Sequence, residues 1–351
     1  MAACIRDRDA RHKFRNKYKI RSKFRKLRDD NRRLFNENKR IINELDLLRR
    51  KLEQHINEWN HEKSITFRAT PLDNLPPQGP QTDVVVAITC VAKNEGPYLK
   101  EWIEYHKLLG VERFYFYDNE SQDNTKEILG PYIKDGTVAY HFLKNHPITK
   151  QLPQVEAYND AIFKYRDRTK WMALIDVDEF IVPVEKNSIP EFLVDYDQHP
   201  AVGVYQLHFD SSGHVTKPIA HGGLVTANYT RIRKYPGTCS IKSIVQPKKV
   251  LIYKSDRYGQ YYLNFLAVNA NFEKIRAAAS RNPPLIDKIR LNHYNSKSKE
   301  EYINKIKRNS KGNPWRYKYN EESFNYPGET TEDLVIQKFV PSLKQALGII
   351  N

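Results

Sequence analysis

A doubly wound α/β sheet is the fold this sequence predicts, on three observations. A short, continuous, β-branched run, Val84 to Val91, has the composition of a strand buried on both faces of a parallel sheet. Strand-like and helix-like stretches then alternate as far as Leu143, the order expected of right-handed parallel crossovers. A second apolar run, from Trp171, leads straight into the acids Asp176, Asp178 and Glu179.

The elements follow in chain order. After the first strand, Pro97 to Leu109 reads as a helix, with proline at its start and Gly110 just past its end. Arg113 to Asp118 is a second strand, Asp123 to Pro131 a short helix and Thr137 to Leu143 a third strand. Gln154 to Phe163 is a helix leading into a buried strand that starts at Trp171 and ends in the carboxylates Asp176, Asp178 and Glu179. In a sheet of this kind ligands bind at the carboxyl ends of the strands, where strand order reverses.

Ahead of this domain the chain changes character. Residues 1–28 are strongly basic, an electrostatic handle. A ladder spaced by fours and threes, Leu27, Asn31, Leu34, Asn38, Ile41, Leu45, Leu48 and Leu52, opens at the end of that segment and runs into residues 29–64, the seam of a coiled coil and hence of a dimer. A single amphipathic helix packed on its own catalytic domain fits the same ladder. Residues 65–82 include TPLDNLPPQGPQ, a linker in which proline fixes the backbone and removes donors. The catalytic domain is expected over residues 83–312, with residues 313–351 packed on it as an extension.

Composition bounds the function only loosely. A chain of 351 residues accommodates one large α/β domain or two small ones. The net charge of +16 suits nucleic acid, an anionic membrane or a phosphorylated substrate, because long-range attraction reads sign and not identity. Three scattered cysteines make no disulfide framework and no CxxC zinc pair, which points to a reducing compartment. No window holds the roughly 20 apolar residues a membrane span needs, nor the apolar core of a secretory signal. The expectation is a cytoplasmic protein, peripheral at the inner membrane face.

The acids carry the chemistry. Three carboxylates within four positions repel one another and are costly to desolvate, so they hold a cation or face water. On an extended chain Asp176 and Asp178 share a face and reach one ion. Oxygen ligands of this kind suit Mg²⁺ or Mn²⁺, which bridge substrate phosphates. The bland alternative is a strand end that merely meets solvent.

Four blocks, VAKNEGPYLKEWIEYHKLLGVERFYFYDNESQDNT, KWMALIDVDEFIVP, FDSSGH and LNHYNSKSKEEYINKIKR, resemble glycosyltransferase family 92, formerly domain of unknown function 23. The resemblance implies a GT-A-type, Rossmann-like mixed sheet and a divalent cation on a DxD motif. It also implies inverting transfer of galactose, or another hexose, from a UDP-sugar to a glycan; the basic N-terminus, suited to an anionic membrane surface, adds lipid-linked glycans to the expected acceptors. On it, Asp176, Asp178 and His293 are the metal ligands, His293 being the late histidine that completes the shell; a structural histidine is the alternative.

Lys93, Asn94 and Glu95 follow the first strand and are placed for the nucleotide, or else form an ordinary turn in which Glu95 serves the helix N-terminus. Asp118 is placed for a ribose hydroxyl, with Ser121 beside it, while Asp123 suits a helix cap. Gln154 and Asn159 face the sugar or serve packing. The base accepting the acceptor's proton is Asp210, with Glu179 as rival. The family pattern often has a small residue at the place of Asp210, which keeps both open. Lys297, Lys299 and Lys305 would neutralise diphosphate charge or form a solvated helix face. The competing class is a basic coiled-coil adaptor for nucleic acid, disfavoured because no zinc finger, KH loop or RNP-type motif appears.

Overall fold

In the computed structural model the described residues are 84–144, 153–234, 240–253, 260–262, 267–275, 284–310, 324 and 328–349. The basic segment, the heptad ladder and the linker expected over residues 1–82 lie outside them.

The expected alternation forms. Strand β1 is Val84–Ala92, helix α1 Gly96–Leu108, β2 Arg113–Asp118, α2 Thr125–Lys134, β3 Val138–Phe142, α3 Pro153–Tyr165 and β4 Thr169–Leu174. These four strands are parallel and lie in the order β3-β2-β1-β4. Alternation along them feeds two apolar layers. Val86, Ile88, Phe114, Phe116, Trp171 and Ala173 join one, and Ala87, Tyr115, Tyr117, Met172 and Leu174 the other. Helix α1 supplies Leu99, Trp102 and Ile103 to the first layer, and α3 supplies Tyr158, Ala161 and Ile162 to the second. Both faces are covered, which is why the strands read as unbroken apolar runs.

Helix α2 departs from its expected bounds. It starts two residues later and runs past Pro131, which sits inside it. The buried Leu129 and Tyr132, the latter donating to Glu104 Oε1 at 2.8 Å, hold this last turn against α1 and outweigh the missing N–H.

The rest of the sheet is mixed. It is built from β5 Glu179–Pro183, β6 Ala201–His208, β8 Ile241–Val245 and β11 Ile289–His293, giving the full order β3-β2-β1-β4-β8-β6-β11-β5. Strand β8 runs antiparallel to β4 and β6, while β11 is parallel to β6 and antiparallel to β5. The strand from Trp171 thus stops just short of the acids. The chain breaks after Leu174, turns through residues 175–178, and resumes as β5 at the far edge of the sheet.

That edge strand is braced from α1. Trp102 Nε1 donates to Glu179 O at 2.8 Å and Tyr105 Oη to Ile181 O at 3.0 Å. The Ile181 N–H donates to His106 Nε2 at 3.2 Å, while His106 Nδ1 lies 2.8 Å from Trp102 O. These contacts occupy backbone groups that an edge strand otherwise leaves open. They also require a neutral imidazole, and burial pulls the His106 value from 6.5 down to about 3.

The C-terminal residues complete the same core. Strand β12, Thr330–Glu332, pairs antiparallel with β7, Arg231–Arg233, and the helix Val340–Leu347 buries Val340 and Leu343. The buried Arg290 of β11 forms an ion pair with Asp333.

Candidate active site

The carboxyl ends of β1, β2, β4, β6 and β11 and the amino ends of the antiparallel β5 and β8 lie along one rim of the sheet. The register places Glu179 opposite His293, and His293 opposite His208. The turn between β4 and β5 brings Asp176 and Asp178 to the same rim, closed by Glu179 N–H donating to Asp176 O at 3.0 Å.

The two aspartates do not share a face as an extended chain would require, because the chain turns between them. Asp176 accepts from Gln154 Nε2 at 3.0 Å and from Lys242 Nζ at 2.8 Å. Asp178 accepts from Lys305 Nζ at 2.6 Å, and its other oxygen lies 3.5 Å from His293 Nε2. Each acid thus has its own ammonium. Burial works against ionisation of Asp178, but Lys305 and His293 outweigh it and hold the carboxyl well below the usual range.

Glu179 lies under this rim with no exposed side-chain surface. Its Oε2 accepts from the Asp176 N–H at 2.9 Å and is 3.2 Å from Lys242 Nζ; its Oε1 accepts from Gln206. Burial pushes its carboxyl up, Lys242 opposes and Asp176 adds, leaving it at about 7. Glu179 therefore shapes the turn from below. As a base it would need an oxygen open to the acceptor, and both are engaged.

The remaining expected residues fall into three groups. Gln154 belongs to the rim through Asp176. Lys93, Asn94, Glu95, Asp118 and Ser121 form a neighbouring loop pair at the ends of β1 and β2. There Asn94 takes φ +57°, its N–H donates to Ser121 Oγ, and its Oδ1 accepts from Gln122 N–H at 2.6 Å. Asp118 is buried and accepts from Ser121 N–H at 2.8 Å and Tyr140 Oη at 2.6 Å, so its carboxylate locks the loop rather than awaiting a ribose. Asp123 joins both helix starts, accepting from Gly96 N–H at 3.0 Å and Thr125 N–H at 3.1 Å. Lys93 lies 4.0 Å from Glu120 on the surface.

Asn159 stands apart from the rim. Its amide donates to Tyr253 O at 2.7 Å and accepts from Tyr253 N–H at 2.9 Å, which ties α3 to β9, Val250–Tyr253. Packing is its role. Asp210 follows Phe209, whose N–H donates to His293 O; its own N–H donates to Arg231 O at 2.9 Å and its Oδ1 accepts from Ser212 N–H at 2.7 Å.

Sequence reasoning missed Lys242 and Gln206. Lys242 is the cation between Asp176 and Glu179, whose charges outweigh its burial and hold its ammonium well above the usual range. The legible signal was a lysine inside the apolar strand IKSIV, two residues before the buried Ile244 on the same face.

Among the described residues no three His, Cys, Asp or Glu side chains meet as a metal-binding group. The donors fit a sparser mode. Asp178 and His293 are adjacent, and His293 Nδ1 is a buried nitrogen without a hydrogen-bond partner. Around Asp178 Oδ2 the Lys305 ammonium stands in for a cation, 3.2 Å from Asn295 Oδ1 and 3.4 Å from Asn295 O. Two protein ligands with phosphate and water completing the shell is how Mg²⁺ and Mn²⁺ are commonly held beside a diphosphate.

Comparison with known proteins agrees with the blocks read from the sequence. The family model for glycosyltransferase family 92 matches residues 83–334, past the boundary at 312 expected from sequence. A glycosyltransferase family 92 protein of Oryza sativa subsp. japonica is 27% identical over 162 residues, 46% of this chain and 27% of that protein. Galactan beta-1,4-galactosyltransferase GALS2 of Arabidopsis thaliana is 29% identical over 163 residues, 43% of this chain and 31% of its own. The chain thus matches less than a third of the length of either relative. Among solved structures, S. aureus TarS 1-349 aligns at TM-score 0.34 and 12% identity, covering 62% of each chain, a likeness too slight to bear on fold or function.

Proposed function

Because this chain belongs to glycosyltransferase family 92, we propose that it transfers a hexose, galactose first, from a UDP-linked donor to a glycan acceptor, with inversion at the anomeric carbon. The observation that carries the reading is the acid turn Asp176–Glu179 facing His293 on the rim where strand order reverses, the place an α/β sheet offers its ligand. Its fold is then read as GT-A-type.

In this reading Asp178 and His293 hold Mn²⁺ or Mg²⁺, with Asp176 reaching the donor beside Gln154. The ion's contribution is to stabilise negative charge on the leaving diphosphate. The loops Lys93–Glu95 and Asp118–Ser121 shape the nucleotide pocket, largely through backbone groups because their side chains hold one another. Asp210 takes the proton of the attacking hydroxyl; one of its oxygens is oriented by Ser212, and it follows Phe209, whose N–H donates to His293 O. Glu179 and Gln206 fix the turn.

The acceptor class follows that of the Arabidopsis relative, a galactan galactosyltransferase by name. The basic residues 1–28 would attach the protein to anionic lipid, at about 1 kcal/mol per Lys or Arg, and residues 29–64 would pair two chains. Among the described residues no helix is long and apolar enough to cross a membrane.

The test is transfer from radiolabelled UDP-galactose to β-1,4-galactan oligosaccharides with Mn²⁺. Chain extension is expected, and Asp210→Asn should lower kcat by about 10² or more. Absence of transfer from a panel of nucleotide sugars, with no thermal stabilisation by any of them, would overturn the reading.

A further inference from the structure

Helix α6, Lys299–Ser310, is held at one end and aimed at the site. Its start is a capping box: Ser298 Oγ accepts from Glu301 N–H at 3.2 Å, and Ser298 N–H donates to Glu301 Oε2 at 3.1 Å. Tyr98 Oη of α1 donates to Glu301 Oε1 at 2.7 Å and Tyr229 Oη donates to Oε2, so the first turn is pinned from two sides. Lys305 lies four residues on, one turn along the same face.

Its ammonium sits in an oxygen cage made of Asp178 Oδ2 at 2.6 Å, Asn295 Oδ1 at 3.2 Å and Asn295 O at 3.4 Å. Carboxylate, amide carbonyl and backbone carbonyl are the donor types a hard divalent ion takes. The side chain keeps 24% of its surface exposed, against 12% for Asp178, so it is the less enclosed member of the pair. A flexible four-carbon stem lets the ammonium move without moving the helix.

We propose that Lys305 is a tethered counter-cation: it holds Asp178 ready in the metal-free protein, yields it to an incoming divalent ion, and turns its ammonium to the donor's diphosphate. The proposal rests on the glycosyltransferase reading above and assigns a donor-positioning role to a residue outside the acid turn. A positive charge beside Asp178 must oppose entry of Mn²⁺, and the same charge freed near a pyrophosphate must favour the nucleotide. The two effects have opposite sign on the two ligands, which a merely structural lysine would not produce.

The experiment is calorimetric titration of the full chain with Mn²⁺ alone, then with UDP at saturating Mn²⁺, for wild type, Lys305→Met and Lys305→Arg. Circular dichroism verifies the fold of each. Lys305→Met should bind Mn²⁺ about tenfold more tightly and UDP about tenfold more weakly, while Lys305→Arg keeps Mn²⁺ binding as weak as wild type. Unchanged or weaker Mn²⁺ binding by Lys305→Met, or undiminished UDP binding, overturns the proposal alone. A wild type that binds neither Mn²⁺ nor UDP overturns it together with the reading it rests on.

Discussion

Glu179 stands between two regions that treat buried polar groups differently. Toward α1, the edge strand β5 is met by Trp102, Tyr105 and a neutral His106, each matched donor to acceptor. Toward the rim, Asp176, Asp178 and Glu179 crowd together and are balanced by Lys242 and Lys305. Neutral pairs keep their strength without counter-ions and hold one geometry. Charged pairs in a partly open cleft exchange partners when a ligand brings its own charge. The comparison assigns stability to the brace and chemistry to the rim.

The strongest way to break it is Trp102→Ala, which removes a fully buried indole and leaves the Glu179 carbonyl unpaired. Urea unfolding should show a loss of about 3–5 kcal/mol, with transfer falling only as far as the folded fraction falls and β5 loosens. A loss under 1 kcal/mol would mean the brace is ornamental.

Lys242→Met probes the rim from its dry side. Asp176, with 36% of its side chain exposed, reaches water, whereas Glu179 is left buried and unbalanced. The expected cost is about 2 kcal/mol at pH 8. It should largely disappear at pH 5, where the unbalanced Glu179 carries a proton. An equal cost at both pH values would show that Lys242 acts through packing.

The two regions also titrate in opposite directions. His106 ionises near 6.5 when unfolded but near 3 when folded, so its contribution is whole above pH 6.5 and drains as pH falls toward 3, at about 1.4 kcal/mol per unit. Glu179, raised from 4.5 to about 7, takes up its proton earlier in the folded state, so acid favours folding between pH 7 and 4.5. For these two groups the stability curve is shallow from pH 6.5 to 4.5 and steep from 4.5 to 3. His106→Gln should flatten the steep limb in a pH series of urea midpoints.

How much of this was legible in the sequence follows the same division. The parallel half was readable because β1, β2 and β4 are buried on both faces and their apolar runs allow little else. The blocks around Asn94, Asp178 and His293 located the rim. What the sequence hid was the turn that carries the acids, where extended-chain alternation no longer applies, and the return of the chain as β5 paired with β11 at the far edge. Lys242 was hidden for a related reason, since its partners come from a different strand 66 and 63 residues away. Asn159 misled because a polar residue on a helix next to the site faces the backbone of β9 instead. The partners of Asp118, Ser121 N–H and Tyr140 Oη on β3, were hidden because the second lies on another strand.

The smallest effect belongs to a pair in neither region. Lys170 and Asp197 lie 2.7 Å apart, but both side chains are nearly half exposed. Lys170→Ala should change stability by no more than about 0.5 kcal/mol in the same assay, because an exposed pair gains little over water.

The most direct test of the central claim is Asp178→Asn, compared with wild type for UDP-galactose transfer in the presence of Mn²⁺, with the unfolding midpoint measured alongside. Transfer should fall by about 10³, roughly 4 kcal/mol in the barrier, while the midpoint shifts by no more than a few degrees, since Lys305 keeps Asn295 as a partner when the charge of Asp178 is removed. Full transfer by the variant, with the fold intact, would contradict the assignment of the acid turn as the place where the donor is held.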